Sequence, residues 1–248
     1  ADILERESGL RDVLAISCGI DASRFINKTP TSNAEPRVLF VGRLDYEKRL
    51  DILIRAIHQI SAEIDVNLEI VGNGGERETL RKLSADLGIE DRVKFLGFVS
   101  EADLPKAYER ATVFAMPSIA ELQSIATMEA MASGRPVIAA NAMALPHLVH
   151  SGDNGYLYEP EDVSELANRL REVLTADKQE LERLSENSLH LIQAHDITNT
   201  LNIFENLYQG IGEFAPTTED NLEGYLEPIG RLSDSLRERV VSFRESAS

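Results

Sequence analysis

TVFAMPSIAELQSIATMEAMASGRPVIAA, from Thr112 to Ala140, contains a strand, a helix and a second strand in succession. TVFAMP and PVIAA are short apolar runs bounded by turn residues, which is typical of buried strands in a parallel sheet. Between them the sequence predicts a helix from about Leu122 to Ala132. A strand, a crossover helix and a parallel strand form a βαβ unit, so the stretch indicates an α/β fold.

The same alternation continues on both sides of this stretch. VLFVG, NLEIVGNGG and VKFLGFV precede it as further predicted strands, and GYLYEP follows it. Apolar residues recur at helical spacing between these runs, from Lys48 to Ile60 for example. The chain is therefore predicted to be an α/β protein, with a Rossmann-like doubly wound parallel sheet of about six strands and a C-terminal helical extension.

Composition excludes several classes of protein. The chain has 248 residues and a net charge of −17, which argues against a non-specific nucleic-acid binder. Its single cysteine, Cys18, cannot form an internal disulfide, and no Cys/His cluster suggests zinc. No run of 18 or more apolar residues is present, so the sequence predicts no transmembrane segment.

Changes of pattern divide the chain into three parts. Residues 1–35 end in the polar stretch KTPTSNAEP and begin without Met, and we expect them to be a remnant of an interdomain segment of a longer protein. Residues 36–210 carry the alternating pattern and are predicted to form the ligand-binding domain. Residues 211–248 are predicted to be an acidic loop followed by a charged terminal helix.

Candidate binding residues lie at the carboxyl ends of the predicted strands, where doubly wound sheets bind their ligands. Arg43 and Lys48 follow the first strand, and a guanidinium and an ammonium suit a diphosphate. The alternative is a surface arginine and lysine paired with Asp45 and Glu47. GNGG, which begins at Gly72, is not a complete phosphate-loop motif and also fits a plain turn.

Glu121 and Glu129 lie on either side of the predicted helix start. If that helix begins near Leu122, the amides of residues 122–125 form an anion site. Glu121 then suits hydroxyl groups carried by the anion, and Glu129, among small residues, suits a ribose diol. The two acids lie roughly 80° apart around the helix, so they are not an acid/base pair. The alternative is that Glu121 caps the helix and Glu129 pairs with backbone or Arg135.

Five motifs in order carry a resemblance to a known family. They are VGRLDYEKRLDILIRAI, LEIVGNGGERETLRKL, VKFLGFVSEADLPKAYERATVFAMPS, ELQSIATMEAMASGRPVIAAN and NGYLYEPED. Together they resemble the C-terminal, nucleotide-sugar-binding half of retaining GT-B fold glycosyltransferases of family 4, which carry two glutamates separated by seven residues. The resemblance extends from about Ile16 to Tyr208.

The resemblance implies a role for each matching position. It implies that the donor, a UDP- or GDP-sugar, is bound without a metal or cofactor. The implied donor-binding residues are Gly42, Arg43, Lys48, Gly72, Val99, Glu121, Ser124, Ile125 and Glu129. Arg43 and Lys48 would hold the diphosphate, Val99 would contact the base through its backbone, Glu121 would face the sugar, and Glu129 would bind the ribose. Catalysis would depend on Glu121, Arg43 and Lys48.

The sequence also departs from the family. Leu122, Gln123 and Ser124 stand where Gly-Phe-Gly is usual, which leaves the identity of the sugar open. Cys18 replaces an asparagine, and residues 143–147, including His147, replace Gly-Gly-x-Pro-Glu. The acceptor-binding N-terminal half is not present in these 248 residues.

The implied activity is transfer of a hexose from a nucleoside diphosphate sugar to an acceptor hydroxyl, with a glycolipid or cell-envelope acceptor. We expect the chain alone to bind the donor without catalysing transfer, with the acceptor domain as its partner. The alternatives are a nucleotide-sugar epimerase of the same fold and a non-catalytic nucleotide-sugar-binding module. The resemblance implies a cytoplasmic location, at the inner face of the membrane.

Overall fold

The computed structural model describes residues 14–25 and 35–209. The chain forms two compact units, of which Ala22–Gln193 is the larger. The other unit is described for residues 14–21 and 194–209. The terminal helix predicted within 211–248 lies outside the described residues.

The larger unit is built on one sheet of six parallel strands, which confirms the predicted doubly wound α/β fold. The order of the strands is β3-β2-β1-β4-β5-β6. Their bounds are β1 (Arg37–Val41), β2 (Asn67–Val71), β3 (Val93–Gly97), β4 (Val113–Met116), β5 (Val137–Ala140) and β6 (Gly155–Tyr158). The central strands are almost wholly buried because helices cover both faces of the sheet.

Six helices flank the sheet in the described residues of this unit. They are α1 (Leu50–Ile60), α2 (Arg77–Asp86), α3 (Leu104–Glu109), α4 (Ile125–Ala132), α5 (Val163–Leu174) and α6 (Lys178–Leu191). Helix α1 packs against α2 and α5, and α4 packs against α6. Tyr108 of α3 donates a hydrogen bond to the carbonyl of Ala126 in α4. In the described part of the chain, no helix has the length and hydropathy needed to cross a bilayer.

The order of the strands creates a switch point between β1 and β4. The chain runs from β1 to β2 and β3 on one side, and then returns to build β4, β5 and β6 on the other. The loops after β1 and β4 contact each other there. The amide of Ile119 donates to the carbonyl of Glu47 at 3.0 Å, and the hydroxyl of Ser118 approaches the same carbonyl at 3.3 Å. Such a switch point is where doubly wound sheets form their ligand crevice.

Helix α1 lies within the span that the sequence predicts, whereas helix α4 begins later than predicted. Helix α1 begins at Leu50, after a single 3-10 turn over Tyr46–Lys48. Helix α4 begins at Ile125 rather than near Leu122, because Ser124 has left-handed backbone angles of φ 54° and ψ 69°. A helix cannot continue through a left-handed residue, so Leu122 belongs to the loop that precedes α4.

The smaller unit contains helix α7 (Ile197–Gln209) and a short parallel bridge between Ile20 and Asp196. The amide of Ile20 donates to the carbonyl of His195 at 2.9 Å. The imidazole of His195 lies 2.9 Å from the hydroxyl of Ser17, and burial lowers the pKa of His195 to about 4. Helix α7 ends the described part of the chain.

Candidate functional site

A largely buried ion pair lies at the switch point of the sheet. The ammonium of Lys48 donates to a carboxylate oxygen of Glu121, and the two side chains are 16% and 10% exposed. Lys48 follows β1 and Glu121 follows β4, so the pair joins the two loops across the crevice. Each charge compensates the other in a place where little water reaches it. The structure thus brings together two of the residues that the sequence singled out.

Arg43 lies beside the crevice but remains open to solvent. Its side chain is 75% exposed and pairs with Asp45 at 2.7 Å and with Glu47 at 3.4 Å. These are the partners that the alternative interpretation of the sequence proposed. Exposed pairs of this kind contribute about 0–1 kcal/mol, so an anionic ligand at the crevice would readily compete for the guanidinium.

Gly42 and Gly72 let two loops approach closely, and their own amides are already bonded. The amide of Gly42 donates to the carbonyl of Val71 at 3.0 Å, and that of Gly72 donates to the carbonyl of Gly97 at 2.8 Å. A side chain at Gly72, where φ is +124°, would overlap the carbonyl oxygen of Gly42. Both glycines therefore shape the floor of the crevice, and both of their amides are bonded to backbone carbonyls.

The start of α4 supplies donors on the other side of the crevice. The carbonyl of Ser124 accepts hydrogen bonds from the amides of Thr127 and Met128, and its hydroxyl lies 2.8 Å from that of Thr127. The amides of Ile125 and Ala126 occupy the first turn, where no carbonyl of the same helix precedes them. Together with the helix dipole they form a favourable environment for an anion.

Glu129 is held by a residue that the sequence analysis did not single out. The hydroxyl of Tyr108 donates to Oε2 of Glu129 at 2.8 Å. Burial raises the pKa of Glu129, and the bond from Tyr108 opposes that shift. Arg135, the partner considered from sequence, donates to the carbonyls of Ser133, Ala111 and Glu109. Tyr108 stands within the motif VKFLGFVSEADLPKAYERATVFAMPS, and nothing in the spacing of that motif indicates a contact with Glu129.

Two further loops border the crevice. Val99 lies two residues beyond β3, partly exposed, next to the exposed ring of Phe98. The loop after β5 is joined to the crevice by a bond from the amide of Ala144 to the carbonyl of Glu121 at 3.1 Å. His147 ends the turn that follows this loop and is exposed.

The arrangement favours a ligand with a negative centre and hydroxyl groups on either side of it. The positive groups are Arg43, Lys48 and the first turn of α4. Two carboxylates, Glu121 and Glu129, lie before and within the same helix. Carboxylates repel phosphate but accept hydrogen bonds from hydroxyl groups.

Comparison with known proteins agrees with this chemistry. The family described as "Glycosyl transferases group 1" matches residues 21–190. A GDP-mannose-dependent alpha-(1-6)-phosphatidylinositol monomannoside mannosyltransferase of Mycobacterium tuberculosis is 35% identical over 174 residues, which are 63% of this chain and 45% of that protein. This chain spans less than half the length of the first three curated relatives, with 36%, 41% and 45% of each aligned.

Two solved structures show the same fold. Sucrose-phosphate synthase from Thermosynechococcus elongatus superposes with a TM-score of 0.72 at 30% identity, covering 79% of this chain and 52% of that one. HepE from Anabaena, solved in complex with UDP, superposes with a TM-score of 0.69 at 29% identity, covering 78% of this chain and 57% of that one. With the match to the family over most of its length, the chain belongs to the glycosyl transferases of group 1, which are enzymes of the GT-B type.

Proposed function

We propose that the crevice between β1 and β4 binds the nucleoside diphosphate sugar donor of a retaining hexosyltransferase of family 4. The largely buried pair of Lys48 and Glu121 carries this proposal, because an ammonium suits a phosphate and the carboxylate beside it suits sugar hydroxyls. Membership of the family supports the proposal, and so do relatives whose names include UDP or GDP-mannose.

The diphosphate would lie among Lys48, Arg43 and the first turn of α4. Negative charge develops on the β-phosphate as the bond to the sugar breaks, and fixed donors stabilise that charge. The ammonium of Lys48 has three protons, so it can keep Glu121 as a partner while donating to a phosphate oxygen. This positive field takes the place of a metal ion in the proposal.

The two carboxylates would hold the groups on either side of the diphosphate. Glu121 would accept hydrogen bonds from the sugar and orient its anomeric carbon toward the acceptor. Glu129 would accept hydrogen bonds from the ribose, and the backbone near Val99 would contact the base. The acceptor hydroxyl, for which we propose a glycolipid or cell-envelope molecule, would reach the sugar from a separate acceptor domain.

Calorimetric titration of the chain with UDP, GDP and ADP tests this proposal. We expect one nucleotide to bind. Lys48→Ala and Arg43→Ala should each weaken its binding about ten- to a hundredfold, since a charge-assisted contact contributes about 1.5–3 kcal/mol. Lys178→Ala is the control, because Lys178 is an exposed lysine of α6 paired only along its own helix with Glu182.

Loss of the largely buried Lys48 side chain could disturb folding as well as binding. Arg43 is mostly exposed, so we expect Arg43→Ala to fold normally and to report on binding alone. Binding of no nucleotide at millimolar concentration would contradict the proposal. Equal affinity in the wild type and in both site variants would contradict it as well.

A further inference from the structure

Tyr108 contacts α4 through a single hydroxyl group. Its side chain is fully buried, and its hydroxyl oxygen lies 2.8 Å from Glu129 Oε2 and 3.1 Å from the carbonyl oxygen of Ala126, so that its one proton is shared between these two acceptors. Ala126 and Glu129 are three residues apart and therefore lie on the same face of α4. The hydroxyl thus joins the carboxylate of Glu129 to the backbone of its own helix.

The ring of Tyr108 is fixed by aromatic neighbours. It meets the ring of Phe25 edge-on, with centroids 5.7 Å apart and planes at 87°. It also packs against Phe114 of β4 at 5.8 Å and 44°. Packed aromatic pairs of this kind hold a ring in one orientation. The position of the hydroxyl is therefore set by the core before any ligand arrives.

The polar and charged groups around Glu129 come from three different segments. Tyr108 approaches from α3, Arg24 from the 3-10 turn Ala22–Arg24, and Glu101 from the loop after β3. Arg24 and Glu101 pair with each other at 3.4 Å. Burial raises the pKa of Glu129, whereas the bond from Tyr108 and the charge of Arg24 oppose that rise, and Glu101 adds to it.

We propose that Tyr108 is a positioning residue, whose hydroxyl orients the carboxylate of Glu129 toward the two ribose hydroxyls of the donor. The inference rests on the proposed function, because it takes the ribose as the ligand of Glu129. Each carboxylate oxygen has two lone pairs, so an oxygen bonded to Tyr108 keeps the capacity to accept from a ligand. A carboxylate already held in place loses less conformational entropy when the ribose binds.

Tyr108→Phe tests the proposal because it keeps the ring and removes only the hydroxyl. Calorimetry on the 248-residue chain would compare UDP and GDP with their 2′,3′-dideoxy analogues. We expect Tyr108→Phe to weaken binding of the ribonucleotide about five- to tenfold and to leave the weaker binding of the dideoxy analogue unchanged. Tyr158→Phe, at a second buried tyrosine on β6, is the matched control and should change neither affinity.

The pH dependence of nucleotide affinity is a second measurement. It should be the same in the wild type and in Tyr108→Phe if Tyr108 acts only in packing. The ribose hydroxyls donate to an ionised carboxylate, so affinity falls as the pH drops through the pKa of Glu129. Without the bond from Tyr108 that pKa rises further, and the fall in affinity should begin at a higher pH in Tyr108→Phe than in the wild type.

The outcomes separate this inference from the proposed function. Equal weakening of the ribonucleotide and the dideoxy analogue, without a shift in pH dependence, would show that Tyr108 acts only in packing and would overturn the inference. Unchanged binding of the ribonucleotide in Tyr108→Phe would overturn it too, while leaving the donor site in place. If the wild type binds none of UDP, GDP and ADP, both the proposed donor site and this inference are contradicted.

Discussion

Two residues beside Glu121 adopt backbone angles that glycine normally adopts. Ser124 has φ 54° and Met143 has φ 52°, both in the left-handed region. Both stand at positions where the family that the sequence resembles usually has glycine. The left-handed conformation costs a residue other than glycine about 1–2 kcal/mol. The Met143 loop is bonded to Glu121 through the neighbouring Ala144. Strained residues often cluster at functional sites, and these two border the proposed sugar-binding carboxylate.

Replacing Met143 by glycine should stabilise the protein. Relief of the left-handed strain exceeds the entropy that glycine loses on folding, so we expect the free energy of unfolding to rise by about 0.5–1 kcal/mol. Urea denaturation measures this change. Met143→Ala is the control, because alanine keeps the strain and should give no gain. Equal stability of Met143→Gly and Met143→Ala would show that the left-handed angle carries no cost here.

Removing Lys48 should destabilise the protein, because the carboxylate of Glu121 would remain buried without a partner for its charge. In Lys48→Met, Glu121 loses the partner of its charge, and we expect a loss of about 3 kcal/mol in the free energy of unfolding. The double variant Lys48→Met/Glu121→Gln should recover most of this loss because no unpaired charge remains. Urea unfolding of the single and double variants measures the coupling. Additive losses would contradict a direct interaction between the two side chains.

At the scale of elements, the loops after β1 and β2 depend on close contact between glycines. Gly72→Ala would place a methyl group on the carbonyl oxygen of Gly42, and the backbone would have to move apart. We expect a loss of about 2–3 kcal/mol in the free energy of unfolding. Gly75→Ala, in the same loop but with open space around the added methyl group, should change stability little. Similar losses in the two variants would contradict the close approach.

The sequence predicted the strands and helices well because they depend on local apolar spacing. It placed the start of α4 near Leu122, whereas the helix begins at Ile125. Residues 122–124 are compatible with a helix, and nothing in their spacing indicates the left-handed angle of Ser124, which is set by the surrounding loops. The proposed anion-binding turn therefore lies at Ile125 and Ala126.

At the scale of the whole molecule, the site depends on the order of the strands. The sequence predicted that strand ends would converge, but it could not show that β1 and β4 are neighbours. That arrangement brings Lys48 into contact with Glu121, 73 positions later in the chain. The contact between Tyr108 and Glu129 was missed for the same reason, because it joins two helices on one face of the sheet.

The position of the nucleotide at the switch point can be observed by NMR. An assigned amide spectrum of the chain would be recorded during titration with UDP or GDP. We expect the largest shifts at the amides of Ile125 and Ala126, in the first turn of α4, together with shifts at Arg43 and Lys48. Shifts confined to residues away from the carboxyl ends of β1 and β4, or no shifts at saturating nucleotide, would contradict a donor site at the switch point.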